Sequence, residues 1–197
     1  MVFKHNICLV IYFGNIVLDQ EQKLVEEAKA DPKNFAVLYD KYFDQIYRYV
    51  YRRVSDKEMV YDLVSQTFYD ALAHIKSFEW RGFSFSAWLY KIAHNNVLKW
   101  YRTNGRFQTV EMEEGRNIPD ESANPVKEAV QGEAKDQIAL IMDQLEPEER
   151  EIIRLKFFEE ISNIEISEVM GLSANHIGVK VFRALKKVKQ LLSNQEQ

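Results

Sequence analysis

Residues 145–192 read LEPEEREIIRLKFFEEISNIEISEVMGLSANHIGVKVFRALKKVKQLL, and this stretch decides the fold. Ser162-Asn163-Ile164-Glu165 has the form of a capping box, in which a serine hydroxyl and a glutamate three residues on satisfy each other's backbone N–H groups. It opens a short helix that runs to Met170. Gly171 supplies the positive φ at which a helix can stop and turn. Ser173 is placed to cap the helix that follows. From Ile177 the apolar residues fall at Val181, Ala184, Leu185, Val188, Leu191 and Leu192, which is helical spacing. The other face carries Asn175, His176, Lys180, Arg183, Lys186, Lys187 and Lys189. Two helices joined by a glycine turn, the second basic on its free face, predict a helix-turn-helix whose second helix enters the major groove of DNA.

A formal net charge of −4 conceals strong segregation. Residues 172–192 hold five Lys/Arg and no Asp/Glu, and residues 34–107 hold eleven against seven. Between them, residues 108–136 hold three against eight, and residues 137–171 three against nine. Phosphate contacts are local, so a basic face can bind DNA under an acidic total.

Outward from the helix-turn-helix, the pattern stays helical. With seven Gly and four Pro in 197 residues, the expectation is an all-α chain of two small helical domains joined by a flexible acidic linker. Residues 1–33 form an extension and lead-in, with 1–18 read as a non-native extension: the apolar run lacks a cleavage site and is interrupted by Gly14 and Asn15. The first domain spans 34–105. Its first helix starts at Asp31-Pro32 and buries Phe35, Leu38, Tyr39, Phe43, Ile46, Tyr47 and Val50. A second, opened by a capping box at Ser55–Glu58, buries Val60, Leu63, Val64, Phe68, Ala71, Leu72 and Ile75. A third, capped by Ser84, buries Trp88, Leu89, Ile92, Ala93, Val97 and Trp100. Residues 106–133, rich in acidic residues, Gly and Pro, form the linker. The second domain spans 134–192, its first helix including Ile138, Ile141, Met142 and Leu145.

Enzymatic chemistry finds no support. The four histidines are scattered, without triad or metal spacing, and no glycine-rich phosphate loop precedes a helix. The expectation is no catalytic residue, metal, cofactor or small-molecule substrate. The single cysteine, Cys8, fits a reducing cytoplasm. A stand-alone helix-turn-helix regulator and a helical protein-binding adaptor are the competing readings.

The order of motifs resembles the extracytoplasmic-function (ECF) group of bacterial RNA polymerase sigma factors. Asp62-Leu63-Val64-Ser65-Gln66-Thr67-Phe68 resembles the family's D-L-V-Q-[ED]-T-F. Ala87-Trp88-Leu89-Tyr90-Lys91-Ile92-Ala93-His94-Asn95 resembles A-W-L-Y-x-I-A-R-N, with His94 at the arginine. Leu145 to Glu151 resembles L-P-x-x-x-R-E, and Glu165 to Leu185 resembles region four. The recognition helix departs from the pattern at Asn175-His176-Ile177-Gly178, so the family's −35 preference does not transfer.

The resemblance implies core RNA polymerase as partner, through its β′ clamp helices and β flap, with double- and single-stranded promoter DNA and an anti-sigma factor. It implies polymerase contacts at Asp62, Val64, Ser65 and Gln66. The −10 element would be opened and held by Phe78, Trp80, Arg81, Phe83, Lys91, His94, Asn95, Lys99 and Arg102. Aromatic rings that stack on unpaired bases contribute roughly 1–3 kcal/mol each. The −35 duplex would be read by Asn175, His176, Val179, Lys180, Arg183 and Lys187. Asn175 is open to a second role, as a helix cap.

Overall fold

The computed structural model describes residues 20–54, 56–81, 83–104 and 138–195, and every regular element among them is helical. Residues 1–18 and the linker 106–133 lie outside the described residues. Helix α1 occupies residues 20–30. A single 3-10 turn, Pro32–Asn34, then leads into α2, Phe35–Tyr51. Asp31 caps that turn by accepting from the Lys33 backbone at 3.0 Å. Helix α3 is Lys57–His74 and α4 is Phe85–Thr103. After α5 (138–143) come α6, Pro147–Phe157, α7, Asn163–Met170, and α8, Ala174–Gln195.

Helix α1 belongs to the first domain rather than to a lead-in outside it. Val25 and Ala28 are fully buried. The Glu21 carboxylate accepts from the Tyr42 hydroxyl and lies 3.4 Å from the backbone N of Phe85, the first residue of α4. An anion is favourable there because the first N–H groups of a helix point at it unpaired.

Three expectations shift by a residue or a face. The N-cap of α3 is Asp56, which accepts from Glu58 N at 2.9 Å, and Ser55, the expected start of a capping box, lies outside the described residues. On α2, Tyr42 and Tyr49 are buried while Tyr39 is exposed. A tyrosine can be buried if its hydroxyl finds an acceptor, and here Glu21 and Glu151 supply them. Leu72 reaches the surface, and Thr67 takes an inward position by donating to the Leu63 carbonyl at 2.7 Å.

The second domain forms as its caps direct. Glu165 N donates to Ser162 Oγ at 3.2 Å and Ser162 N to Glu165 Oε2 at 2.8 Å, closing the box. Gly171 has φ 68° and ends α7. His176 N donates to Ser173 Oγ at 3.3 Å, so Ser173 is the cap and Asn175 is not. Met142, Leu145, Ile153 and Ala184 form a small core between α5, α6 and α8.

The larger core crosses between the domains. Ile152, Leu155, Ile161, Ile166, Val169 and Ile177 of the second domain join one apolar cluster with the residues of α1 to α4. Each fully buried aliphatic side chain contributes roughly 1.5–3 kcal/mol relative to exposure. The two domains therefore meet as packed partners, with α7 lying against α4.

Candidate nucleic-acid interface and the seam between domains

Ile177 and Ala184 of α8 are fully buried, with Val181 and Val188 partly so. That fixes the rotation of the helix. Asn175, His176, Val179, Phe182, Arg183 and Lys186 are exposed on its free side. Lys180 stands at the flank, its ammonium 3.2 Å from Glu148 of α6, and Lys187 is half-buried. Of the residues expected to read the −35 duplex, Asn175, His176, Val179 and Arg183 share the free face, and Lys180 and Lys187 edge it. Phe182 is the residue missed. It is 70% exposed, the most exposed large apolar side chain among the described residues.

The residues expected at the −10 element divide. Asn95, Lys99 and Arg102 are exposed along one line of α4. Phe78 is 3% exposed and packs edge-on against Trp80 and Phe85, with ring centroids 5.0 and 5.3 Å away. It is a core residue, so its expected role as a base platform is corrected. Trp80 and Phe83 are half-buried and pack against the same core, and the Trp80 indole N–H is buried without an acceptor. Arg81 is exposed and pairs with Glu79 at 2.7 Å.

Lys91 and His94 are engaged by the second domain. Lys91 Nζ lies 2.5 Å from Glu168 of α7, and His94 Nδ1 lies 3.6 Å from Glu151 of α6. Asp62, Ser65 and Gln66 are exposed on α3. Val64 is 1% exposed and faces inward, so its expected polymerase contact is corrected.

A row of acidic residues from α6, α7 and the turn between them closes the seam. Arg53 donates to Glu151 through Nε at 3.1 Å and Nη2 at 2.9 Å, a two-pronged pair. Tyr49 donates to the same carboxylate at 2.9 Å. Arg52 and the Tyr90 hydroxyl meet Glu159 at 3.0 and 2.9 Å. Ser84 donates to Glu165 at 2.6 Å. Burial opposes ionisation of Glu151, but Arg53 and His94 outweigh it and hold the carboxyl well below the usual range. Burial, then Glu159, pushes the Tyr90 phenol far up. Charge on one side is thus matched atom by atom on the other.

Among the described residues no group of His, Cys, Asp and Glu could hold a metal ion, and no helix is long and apolar enough to cross a membrane. Two family descriptions match the chain, Sigma-70 region 2 over residues 38–107 and Sigma-70, region 4, over residues 135–188. The chain belongs to the sigma-70 family. The ECF RNA polymerase sigma factor BldN of Streptomyces coelicolor is 34% identical over 175 residues, 86% of this chain and 65% of that protein. RNA polymerase sigma factor YlaC of Bacillus subtilis is 29% identical over 157 residues, 78% of this chain and 88% of that one.

Solved structures share the fold. CnrH, in complex with the cytosolic domain of CnrY, superposes with a TM-score of 0.62 at 20% identity, covering 88% of this chain and 97% of that one. The sigma factor RpoE of Bartonella quintana, in complex with the anti-sigma factor NepR, gives 0.61 at 23% identity, covering 82% and 98%. The family regions overlap the two packed domains, the first spanning most of α2 through α4, with α1 ahead of it, and the second the helix-turn-helix.

Proposed function

We propose that this chain is a sigma factor that binds core RNA polymerase and starts transcription at specific promoters without catalysis of its own. The observation that carries this reading is the free face of α8, held outward by the buried Ile177 and Ala184, on a chain that bears both sigma-70 regions in order. A stand-alone regulator has no use for the first domain, whose α3 exposes Asp62, Ser65 and Gln66 for the polymerase clamp. The first domain would engage the clamp helices and the −10 element. The second would engage the β flap and the −35 duplex. Two sites on one tether gain avidity only when the promoter boxes are correctly spaced.

The −10 face extends along α4 from Lys91 to Arg102, and in its first half Lys91 and His94 are engaged by α7 and α6. Promoter engagement therefore separates the domains. An anti-sigma factor, the partner named for RpoE, would act by holding the chain away from polymerase in the cytoplasm. The deciding experiment is reconstitution of the full chain with core polymerase, followed by run-off transcription from genomic fragments. The expected outcome is transcription from discrete start sites that core polymerase alone does not use. Co-purification without any promoter-dependent transcript would overturn the reading.

A further inference from the structure

Val179 and Phe182 stand one helical turn apart on the free face of α8, 47% and 70% exposed, with Asn175 before them and Arg183 and Lys186 beside and after them. No described side chain covers this pair. The flanking guanidinium and ammonium groups suit phosphate, and the helix-turn-helix orients this face toward a major groove. The main apolar feature that a major groove offers is the C5-methyl group of thymine. We propose that Val179 and Phe182 read thymine methyl groups, so that the −35 element recognised by this chain carries thymine opposite this pair. The proposal rests on the promoter-reading function above. It makes Phe182 a specificity residue, with Arg183 and Lys186 supplying sequence-blind attraction.

The test uses holoenzyme assembled from the full chain and a −35 duplex selected from a random library. Each thymine is then replaced in turn by deoxyuridine, which removes the methyl group and nothing else. Loss of a buried methyl should weaken binding roughly fourfold. Phe182→Ala with Val179→Ala, both at exposed positions that leave the fold intact, should bind thymine and uracil duplexes equally, and Phe182→Ala alone should lose the response at the thymines that Phe182 reads. Holoenzyme that binds the selected duplex but ignores every thymine-to-uracil change overturns the proposal while leaving the sigma assignment standing. The proposal is equally overturned if the Val179/Phe182 double variant keeps its sensitivity to the methyl group, or keeps full DNA affinity but loses a protein contact. Failure to assemble holoenzyme at all is a different result, and it overturns the sigma assignment.

Discussion

Ser84, the cap of α4, donates its hydroxyl at 2.6 Å to Glu165, the residue that closes the capping box of α7. One carboxylate thus serves the N-termini of two helices from different domains. Burial works against its charge, but hydrogen bonds from Ser84 and Ser162 hold its carboxyl below the usual value. Glu165→Ala should lose both the box and the bridge, destabilising the chain by about 1–2 kcal/mol. Ser84→Ala loses the α4 cap together with the bridge and should cost a similar amount, while the double variant should cost less than the sum of the two because both single changes remove the same bridge. Urea midpoints of the three variants check this; strictly additive losses would mean the bridge contributes nothing.

Arg53 and Glu151 are the most buried charged pair of the seam, with side chains 3% and 12% exposed. Removing one partner strands the other, at a cost of about 3–5 kcal/mol, whereas replacing both by apolar residues is much milder. Arg53→Met should therefore open or destabilise the chain, and Arg53→Met with Glu151→Met should recover most of the loss. Small-angle scattering and denaturation together separate opening from unfolding. The pH dependence has one sign. A depressed carboxylate contributes stability that is full above its unfolded value of about 4.3 and is lost as pH falls toward the folded value. Arg53, Tyr49 and His94 are the titratable groups facing it, and Arg53 stays charged throughout. Glu151 itself should leave stability flat between about pH 6 and 8 and erode it on the acid side. Stability that stays flat as the pH falls below about 4 contradicts this assignment.

Caps and periods were legible because they are local. Ser84, Ser162 with Glu165, Gly171 and Ser173 could each be placed from a few neighbouring letters. Seam partners could not, since Arg53 and Glu151 lie about a hundred residues apart and neither belongs to a motif that pairs them. The charge blocks were the available signal: basic residues 34–107 meet acidic residues 137–171 at Arg52, Arg53 and Lys91. In the folded chain the acidic block packs against the first basic block as well as separating it from the second. Phe78 and Val64 were misplaced for a related reason. A motif marks a segment, whereas the rotation of one side chain is set by what packs against it.

Gly171 and Gly178 should respond oppositely to alanine. At Gly171 there is open space for a Cβ, but φ is +68°, which disfavours an L side chain. Gly171→Ala should cost about 1 kcal/mol. At Gly178 the new Cβ would meet only Asn163 Nδ2 at 3.7 Å, ordinary contact. Gly178→Ala should stabilise α8 by about 0.5–1 kcal/mol, a rise in Tm of roughly 1–4 °C for a chain of this size. A fall in Tm for Gly178→Ala would show that the groove-side helix is strained there.

Arg183 and Lys180 should differ in the salt dependence of −35 binding. Arg183 is exposed on the free face, so Arg183→Ala should lower the slope of log K against log salt by about one unit if it meets a phosphate. Lys180 must first leave Glu148, 3.2 Å away, and its replacement should lower the slope less. A steeper loss for Lys180→Ala would reverse the assignment of flank and face.

Strand opening should depend on the far half of α4 more than on the aromatic loop. Lys99 and Arg102 are exposed, and neither has an ion-pair partner among the described residues. Their replacement by Ala removes charge without disturbing packing. Phe78 is buried, and Phe78→Ala should cost about 3–5 kcal/mol of stability. Unstacking a base costs a few kcal/mol that a basic groove and a half-exposed ring must offset. Lys99→Ala with Arg102→Ala should therefore leave the melting temperature unchanged and weaken permanganate reactivity of −10 thymines in the holoenzyme. Trp80→Ala should weaken both, because that ring packs against the core and keeps part of its surface free. Unchanged permanganate reactivity in the Lys99/Arg102 double variant would remove this face from the opening step, leaving the half near Lys91 and His94, exposed once α6 and α7 withdraw, to hold the strand.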